Sequence, residues 1–190
     1  MMSYVRLEKD KGSYIGMALL DLQKAFATVD HSILIMKLEA IGLHESAIDW
    51  FASFLQNRQQ CFKLGNTLSE PENITCGVPQ GAILCLLLFL VYINDIASTI
   101  LCKLLLYADG SALIVADKSP EAIQHRLARE MESIREWLID NRFSLHLGKT
   151  ETILYAAKRK FNKINSIQVL SELNRIIWKR EVWILGFRIT

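Results

Sequence analysis

The sequence predicts an α+β fold in which a mainly antiparallel sheet carries helices on one face. The first observation is a pair of apolar runs, residues 103–106 and 112–115, on either side of Tyr107-Ala108-Asp109-Gly110. Asp-Gly between two such runs is the strongest short-range signal of a β-hairpin. The second is that helical patterns alternate with short strand-like runs along the chain, an order typical of an α+β layer.

Length and composition limit the possible functions. The 190 residues suffice for one domain with a sizeable core. With 51% apolar residues and a mean hydropathy of +0.20, we expect either much buried surface or a surface that a partner covers. The net charge of +2 excludes a global cationic field, so any nucleic-acid site must be local.

The sequence gives no sign of membrane insertion or secretion. Its longest apolar run, residues 83–93, is too short to cross a bilayer. The first residues lack the regions of a signal peptide, so we expect an intracellular protein of the nucleus or cytoplasm that is not secreted. The four cysteines have no Cys-x-x-Cys pair, which argues against structural zinc and predicts reduced, mostly buried thiols.

The first half of the chain predicts one strand, two helices and a loop ribbon. Residues 1–14 are polar and form a tail or a severed edge in which nothing builds a core. Residues 15–20 form a strand that ends at Asp21. The remaining predictions are a helix capped by Asp30 with Leu34, Leu38 and Ile41 on one face, a helix over 45–55, strands at 60–64 and 72–76, and a fully buried helix over 82–97.

The second half predicts one long helix and several strands. Ser119-Pro120-Glu121 is a favourable helix start, and apolar residues at helical spacing continue to residue 139. Strands are predicted at 152–155, 167–170 and 183–187. Lys158-Arg159-Lys160 is either solvated surface or a phosphate contact.

Two acids stand in apolar surroundings at Asp21 and Asp109. Either could have a local role, Asp109 as a turn residue and Asp21 as a cap. An acid within an apolar strand is, however, costly to desolvate unless it meets a cation or another partner. A metal ion shared by the two carboxylates would satisfy both.

Five segments together resemble a known family. They read LLDLQKAF at 19–26, GVPQGAIL at 77–84, YADG at 107–110, SLHLGKTE at 144–151 and WILGF at 183–187. Their spelling and order are similar to motifs A to E of the reverse transcriptases of non-LTR, LINE-type retrotransposons. The resemblance implies a polymerase palm over residues 15–190 that ends in motif E without a thumb.

The resemblance implies a metal-dependent nucleotidyl transfer. Asp21 and Asp109 would hold Mg²⁺ or Mn²⁺, and Lys149 would protonate the departing pyrophosphate. From the residues alone, a lysine that follows a glycine in a loop is most often an ordinary surface residue. The implied partners are an RNA template, a DNA primer and deoxynucleoside triphosphates.

Four further residues would contact the nucleotide or the template by the same resemblance: Phe26, Gln80, Gly81 and Tyr107. Phe26 would lie under the incoming sugar, although plain core packing explains it equally well. Gln80 lies in a Gly-rich loop whose backbone can approach a ligand closely.

The chain departs from the family pattern at several positions. Motif C normally has two adjacent acids, and Gly110 replaces the second, so metal affinity should fall. Ala27 stands where the family has Asp. Ala82, Cys85 and Leu86 replace Ser, Gly and Pro in motif B, and loss of the Gly-Pro pair allows the following helix to continue unbroken.

Three hypotheses follow from these observations. The first is an RNA-directed DNA polymerase domain, impaired by Gly110 and by the fingers and thumb segments that we expect to be missing. The second is a catalytically inert, retrotransposon-derived remnant with at most weak nucleic-acid binding. The third is an unrelated α+β module in which Asp21 and Asp109 serve only turns.

Overall fold

A computed structural model describes residues 2–107, 110–156, 168–171, 174–179, 182–184 and 187–189. The chain forms two compact units. The first comprises residues 1–23, 96–139 and 144–190, and the second comprises residues 24–95 and 140–143.

The described elements in chain order are α1 (Met2–Asp10), β1 (Tyr14–Asp21), α2 (His31–Ala40), α3 (Glu45–Leu55), β2 (Gln59–Gln60), β3 (Lys63–Leu64), β4 (Thr67–Leu68), β5 (Glu72–Asn73), α4 (Ile83–Ile93), β6 (Lys103–Tyr107), β7 (Gly110–Asp117), α5 (Pro120–Asp140), β8 (Glu151–Tyr155), β9 (Gln168–Ser171), β10 (Asn174–Lys179), β11 (Val182–Ile184) and β12 (Phe187–Ile189). Short 3₁₀ segments lie at Ala25–Ala27, Asn94–Thr99 and Leu147–Lys149.

The first unit is built on a six-stranded sheet in the order β6-β7-β1-β8-β10-β9. Every neighbouring pair is antiparallel except β8 and β10. The α+β class, the mainly antiparallel sheet and the central hairpin are therefore confirmed. β1 has strand neighbours on both sides, pairing with β7 from Tyr14 to Asp21 and with β8 from Ile15 to Leu19.

Both faces of β1 are covered. Ile15 and Met17 on one face pack with Ala112 and Ile114 of β7 and with Val5 of α1. The alternate residues Ala18 and Leu20 are also buried. The expectation that nothing in residues 1–14 builds a core was wrong, because Val5 of α1 is buried in the core and Tyr4 packs against the same cluster.

The second unit begins with the predicted helical hairpin. The Asp30 carboxylate caps α2 by accepting the Ile33 N–H at 3.0 Å, and Leu34 and Leu38 are fully buried. Ile41, predicted on the same face, lies beyond the helix and is 57% exposed. α3 has the predicted bounds, but its N-cap is His44, whose Nδ1 accepts the Ser46 N–H.

The prediction that the apolar helix α4 is buried on every side was wrong. Leu88, Phe89, Tyr92 and Ile93 are buried, whereas Ile83, Leu86, Leu87 and Leu90 form an exposed stripe at helical spacing. The helix runs unbroken through Cys85 and Leu86, as loss of the Gly-Pro pair predicts.

Tyr92 anchors the buried face of α4. Its hydroxyl donates to the Asn141 carbonyl at 2.8 Å and accepts the Asp30 N–H at 3.4 Å. The Arg142 guanidinium donates to the Asp30 carboxylate. Burial raises the pKa of Tyr92 to about 12, because the phenolate would lose its hydration. Residues 140–143 are held in the second unit through these contacts.

The long helix α5 confirms the predicted stripe. Ile123, Leu127, Met131, Ile134 and Leu138 are all buried, and Ser119 Oγ caps the helix by accepting the Ala122 N–H. Glu130 was not predicted to be buried, and its carboxylate accepts the Leu101 N–H at 2.8 Å. Burial raises the pKa of Glu130, but the Arg129 guanidinium and the Leu101 N–H outweigh it and hold the pKa below its usual value.

The remaining predictions had mixed outcomes. The loop strands formed as two short ribbons, β2 with β5 and β3 with β4. The single strand predicted over 183–187 was wrong, because β11 and β12 form a hairpin there, and β10 was missed. Residues 158–160 lie outside the described residues.

The cysteine thiols differ in exposure and the helices differ in hydropathy. The cysteines are free as predicted, but Cys61 and Cys76 are exposed, so they are not mostly buried. Burial raises the pKa of the Cys102 thiol to about 11. Among the described helices, none has the length and hydropathy that crossing a membrane requires.

Candidate active site

Asp21 occupies the last position of β1, where the strand leaves the buried part of the sheet. It pairs across the ladder with Gly110, the first residue of β7. Its side chain is 34% exposed and lies on the same sheet face as Leu19 and Met17. The buried strand therefore ends in a carboxylate that solvent and ligands can reach.

The hairpin opposite Asp21 is the one predicted from YADG. Tyr107 ends β6 and pairs with Gly110. Ala108 and Asp109, which follow Tyr107 in the sequence, lie outside the described residues, as does the side chain of Tyr107. In the Cα register, Gly110 lies opposite Asp21, and Gly110 directly follows Asp109 in the sequence.

The structure brings Lys149 to Asp21. The Lys149 Nζ lies 3.6 Å from the Asp21 Oδ2, and the lysine side chain is 62% exposed. A pair this exposed is screened by solvent and contributes little stability. The carboxylate at the end of β1 nevertheless meets a cation of its own chain.

The loop that carries Lys149 is hydrogen-bonded to the end of β1. The His146 N–H donates to the Asp21 carbonyl at 2.8 Å, and the Gln23 N–H donates to the Ser144 carbonyl at 2.9 Å. Leu22 forms a β-bridge with Leu145 between them. Sequence reasoning missed this bridge; the alternation Ser144-Leu145-His146-Leu147 is its only sequence signal.

The GVPQGAIL loop lies in the second unit and is fixed by its own backbone. The Gly77 N–H donates to the Val29 carbonyl and the Val78 N–H donates to the Phe26 carbonyl, at 2.7 and 2.8 Å. Gly77 has φ +89°, and a Cβ there would lie 2.8 Å from the Ala27 carbonyl oxygen. Only glycine fits this close approach.

The three predicted nucleotide or template residues in the second unit are accessible to different degrees. Gln80 and Gly81 are exposed, and Gly81 has φ +92° with no atom near its missing Cβ. Phe26 is partly buried, with its ring centroid 4.4 Å from that of the buried Phe89. The structure thus supports core packing for one face of Phe26 and leaves part of the ring accessible.

Comparison with protein families adds the decisive observation. The model of the family described as reverse transcriptase (RNA-dependent DNA polymerase) matches residues 2–189. The chain belongs to the reverse transcriptase family.

Curated relatives of this reverse transcriptase domain come from retrotransposons. It is 25% identical over 154 residues to the RNA-directed DNA polymerase from mobile element jockey of Drosophila funebris, covering 77% of the chain and 17% of the relative. It is 26% identical over 152 residues to the probable RNA-directed DNA polymerase from transposon BS of Drosophila melanogaster, covering 76% and 16%.

A third relative, the retrovirus-related Pol polyprotein from type-1 retrotransposable element R2 of Popillia japonica, is 26% identical over 95 residues, or 50% of the chain and 16% of the relative. The chain therefore spans about a sixth of the length of these relatives. It is a reverse transcriptase domain homologous to non-LTR retrotransposon polymerases.

Reverse transcriptases generally use divalent metal ions, and the residues at the end of β1 fit such an ion in kind. Carboxylate oxygens are the ligands that Mg²⁺ prefers, and Asp21 presents a partly exposed pair of them. Within the described ranges, no three His, Cys, Asp or Glu side chains are grouped to hold a metal. Gly110, opposite Asp21, contributes no oxygen ligand from its side chain.

Proposed function

We propose that this reverse transcriptase domain catalyses RNA-templated nucleotidyl transfer at the end of β1, with Asp21 and Asp109 as the carboxylates that hold Mg²⁺ or Mn²⁺. The observation that carries the proposal is the β1–β7 register. Asp21 pairs with Gly110, the residue that directly follows Asp109 in the sequence.

Each residue has a defined part in the proposal. Bound divalent ions would supply Lewis acidity at the primer hydroxyl and at the departing phosphates. The Asp21 carboxylate accepts a cation at the strand end, and Lys149 holds a proton within reach of the same site. Phe26, Gln80, Gly81 and Tyr107 contact the nucleotide or the template.

The proposed partners are an RNA template, a DNA primer and deoxynucleoside triphosphates. Residues 15–190 form the palm in this proposal, and fingers and thumb segments of a longer protein would complete the grip on the primer. Because these substrates occur inside cells, we place the activity in the nucleus or cytoplasm.

Gly110 favours a second candidate function. The residue opposite Asp21 lacks the carboxylate that the family pattern places there, so one ligand group and one negative charge are lost. In this alternative the domain is a catalytically inert remnant that binds nucleic acid weakly.

Primer extension on an RNA template tests the proposal. The 190-residue chain is assayed with Mg²⁺ or Mn²⁺ beside Asp21→Asn and Gly110→Asp. We expect incorporation by the unmodified chain, a loss of about 100-fold or more in Asp21→Asn, and a gain of about tenfold in Gly110→Asp, because carboxylates at the metals are worth several kcal/mol.

The outcomes separate the two candidates. Incorporation only by Gly110→Asp would establish the inert remnant and identify the lost acid as its cause. Incorporation that survives Asp21→Asn would disprove the proposed site. No incorporation by any of the three proteins would disprove the polymerase proposal for this chain.

A further inference from the structure

A cleft in the second unit is lined in part by the GVPQGAIL loop, and Gln80 is the one lining residue to which the resemblance assigns a role. Its volume is about 540 Å³, within the range of sites that hold a nucleotide-sized group. It is lined by Ala27, Arg58, Gln60, Asn73, Ile74, Thr75, Cys76, Gly77, Val78, Pro79 and Gln80.

Arg58 is the single charged residue in this lining. Its side chain is partly buried, and its guanidinium carbon lies 5.9 Å from the centroid of the Phe54 ring, which restricts its movement. In the part of the chain that the structure describes, no carboxylate pairs with it; Glu72, on the neighbouring strand β5, forms no ion pair with Arg58. A partly desolvated guanidinium without an acid favours an anionic ligand.

The rest of the lining offers neutral hydrogen-bonding groups. Gln60, Asn73 and Gln80 present amides and Thr75 presents a hydroxyl. The Asn73 Oδ1 accepts from Gln59 Nε2 at 3.0 Å, which orients its amide nitrogen as a donor. One cation among neutral donors matches the single charge of a phosphodiester better than the several charges of a triphosphate.

The cleft is formed before any ligand binds. The Ile74 N–H donates to the Arg58 carbonyl at 2.8 Å, which ties the two walls together. The Cys76 Sγ donates to the Ala27 carbonyl at 3.4 Å, and the same carbonyl lies against Gly77. A preformed site avoids the cost of ordering its walls on binding.

We propose that this cleft binds a backbone phosphate of the single-stranded template, with Arg58 as the residue that contacts it. The proposal rests on the proposed function, because a template strand is a ligand of this domain only if the domain copies RNA. It adds Arg58, which lies outside the five motif segments, to the residues proposed to contact the template.

The test measures RNA binding, and its result is compared with that of the primer extension assay described above. Fluorescence anisotropy of a labelled single-stranded RNA is recorded against salt, without metal, for the unmodified chain, Arg58→Gln, Arg58→Lys, Asn73→Asp and the control Arg6→Gln. Arg6 is an exposed arginine of α1, so its substitution removes the same charge at another place. Thermal unfolding verifies that each variant is folded.

We expect Arg58→Gln to weaken binding about tenfold and to reduce the slope of log affinity against log salt by about 0.7, the value for one phosphate of a single strand. Arg58→Lys should keep the slope and lose part of the affinity, because lysine lacks the planar fork. Asn73→Asp should weaken binding by repulsion although Arg58 is intact, and Arg6→Gln should change neither quantity.

Equal losses of RNA affinity in Arg58→Gln and Arg6→Gln would overturn the proposal, because the effect would then come from net charge and not from a specific site. The labelled RNA is also displaced with a deoxynucleoside triphosphate. If Arg58→Gln weakened only this displacement and left the RNA affinity unchanged, the proposal would be overturned and the cleft would be assigned to the incoming nucleotide. Binding that depends on Arg58 without primer extension would support the cleft and contradict the polymerase proposal, so the two failures are distinguishable.

Discussion

β1 and α4 are both nearly continuous apolar runs, yet the structure covers them very differently. β1 lies between two strands, and residues on both of its faces are buried. α4 packs through one face and exposes Ile83, Leu86, Leu87 and Leu90 on another. High hydropathy thus predicts that a segment is at least partly buried, whereas its place in the fold determines how many of its faces are buried. A central strand receives neighbours from its sheet, but a helix receives only what packs against it.

The largest expected loss of stability is at Leu88 of α4, and the neighbouring Leu87 is its control. Leu88 is fully buried and Leu87 is 53% exposed. Leu88→Ala should lower the free energy of unfolding by about 3 kcal/mol, because it leaves a cavity. Leu87→Ala should lower it by less than about 0.5 kcal/mol. Urea unfolding followed by circular dichroism measures both, and equal losses would mean that the exposed face is covered in solution.

A second pair of variants, at Gly42 and Gly77, distinguishes the cost of an unfavourable backbone conformation from the cost of a steric clash. Gly42 and Gly77 both have φ +89°, but a Cβ at Gly42 meets nothing within 4 Å, whereas at Gly77 it lies 2.8 Å from the Ala27 carbonyl oxygen. Gly42→Ala should cost about 1 kcal/mol from conformation alone. Gly77→Ala should cost about 3 kcal/mol, since the clash is with backbone. Similar values in urea unfolding would show that the loop moves away at little cost.

The buried face of α4 also predicts a pH dependence. The Tyr92 pKa is raised to about 12, so below pH 10 the hydroxyl is protonated in both the folded and the unfolded chain. Between pH 10 and about 12 the unfolded chain ionises first, and the free energy of unfolding should fall by about 2.5 kcal/mol.

Tyr92→Phe should lack this part of the decline. The Cys102 thiol contributes its own decline in both proteins, which cancels in the difference between them. Urea unfolding at steps of pH measures that difference. Parallel curves for the two proteins would show that Tyr92 is accessible to solvent.

Much of the fold was predictable where a pattern repeats. The stripe of α5 and the strand that ends at Asp21 each combine several residues that agree. Val5 was missed because the few apolar residues of the segment 1–14 lie among charged residues and do not mark one helix face. The exposed face of α4 could not be predicted, since a helix that is apolar all round has no periodicity to mark its outer side.

The candidate site was predictable only in part. The motifs identified Asp21 and Lys149, and the structure brings those two side chains together. Asp109 stays a prediction because it lies outside the described residues. The Arg58 cleft was not predictable, because it depends on the pairing of β2 with β5 and on a backbone contact at Gly77.

Gly110→Asp restores an acid opposite Asp21 at the end of β1. In the absence of metal, Gly110→Asp places like charges across the ladder and should lower the free energy of unfolding by about 0.5 kcal/mol relative to Gly110→Asn. Millimolar Mg²⁺ should recover this loss, because it binds both carboxylates. Thermal unfolding in EDTA and in Mg²⁺ measures the difference. A loss that Mg²⁺ does not recover would show that the two carboxylates do not share an ion.

The smallest expected effect on stability is at the exposed stripe. Leu86→Gln combined with Leu90→Gln should change the free energy of unfolding by less than about 0.5 kcal/mol and should raise solubility. Light scattering against protein concentration measures the second effect. Leu88→Gln is the control and should destabilise the fold strongly, because Leu88 is fully buried. A strong loss of stability in the double variant would show that the stripe is packed.

The pairing of Asp21 with Gly110 also sets an order of events in folding. The two residues are separated by 89 positions in the chain, and the whole second unit apart from residues 140–143 lies between them. At ribosomal rates of roughly 5 to 20 residues per second, β1 therefore waits several seconds for its partner strand to be synthesised. During that interval a strongly apolar strand has both edges open, which makes nascent β1 a natural binding site for chaperones.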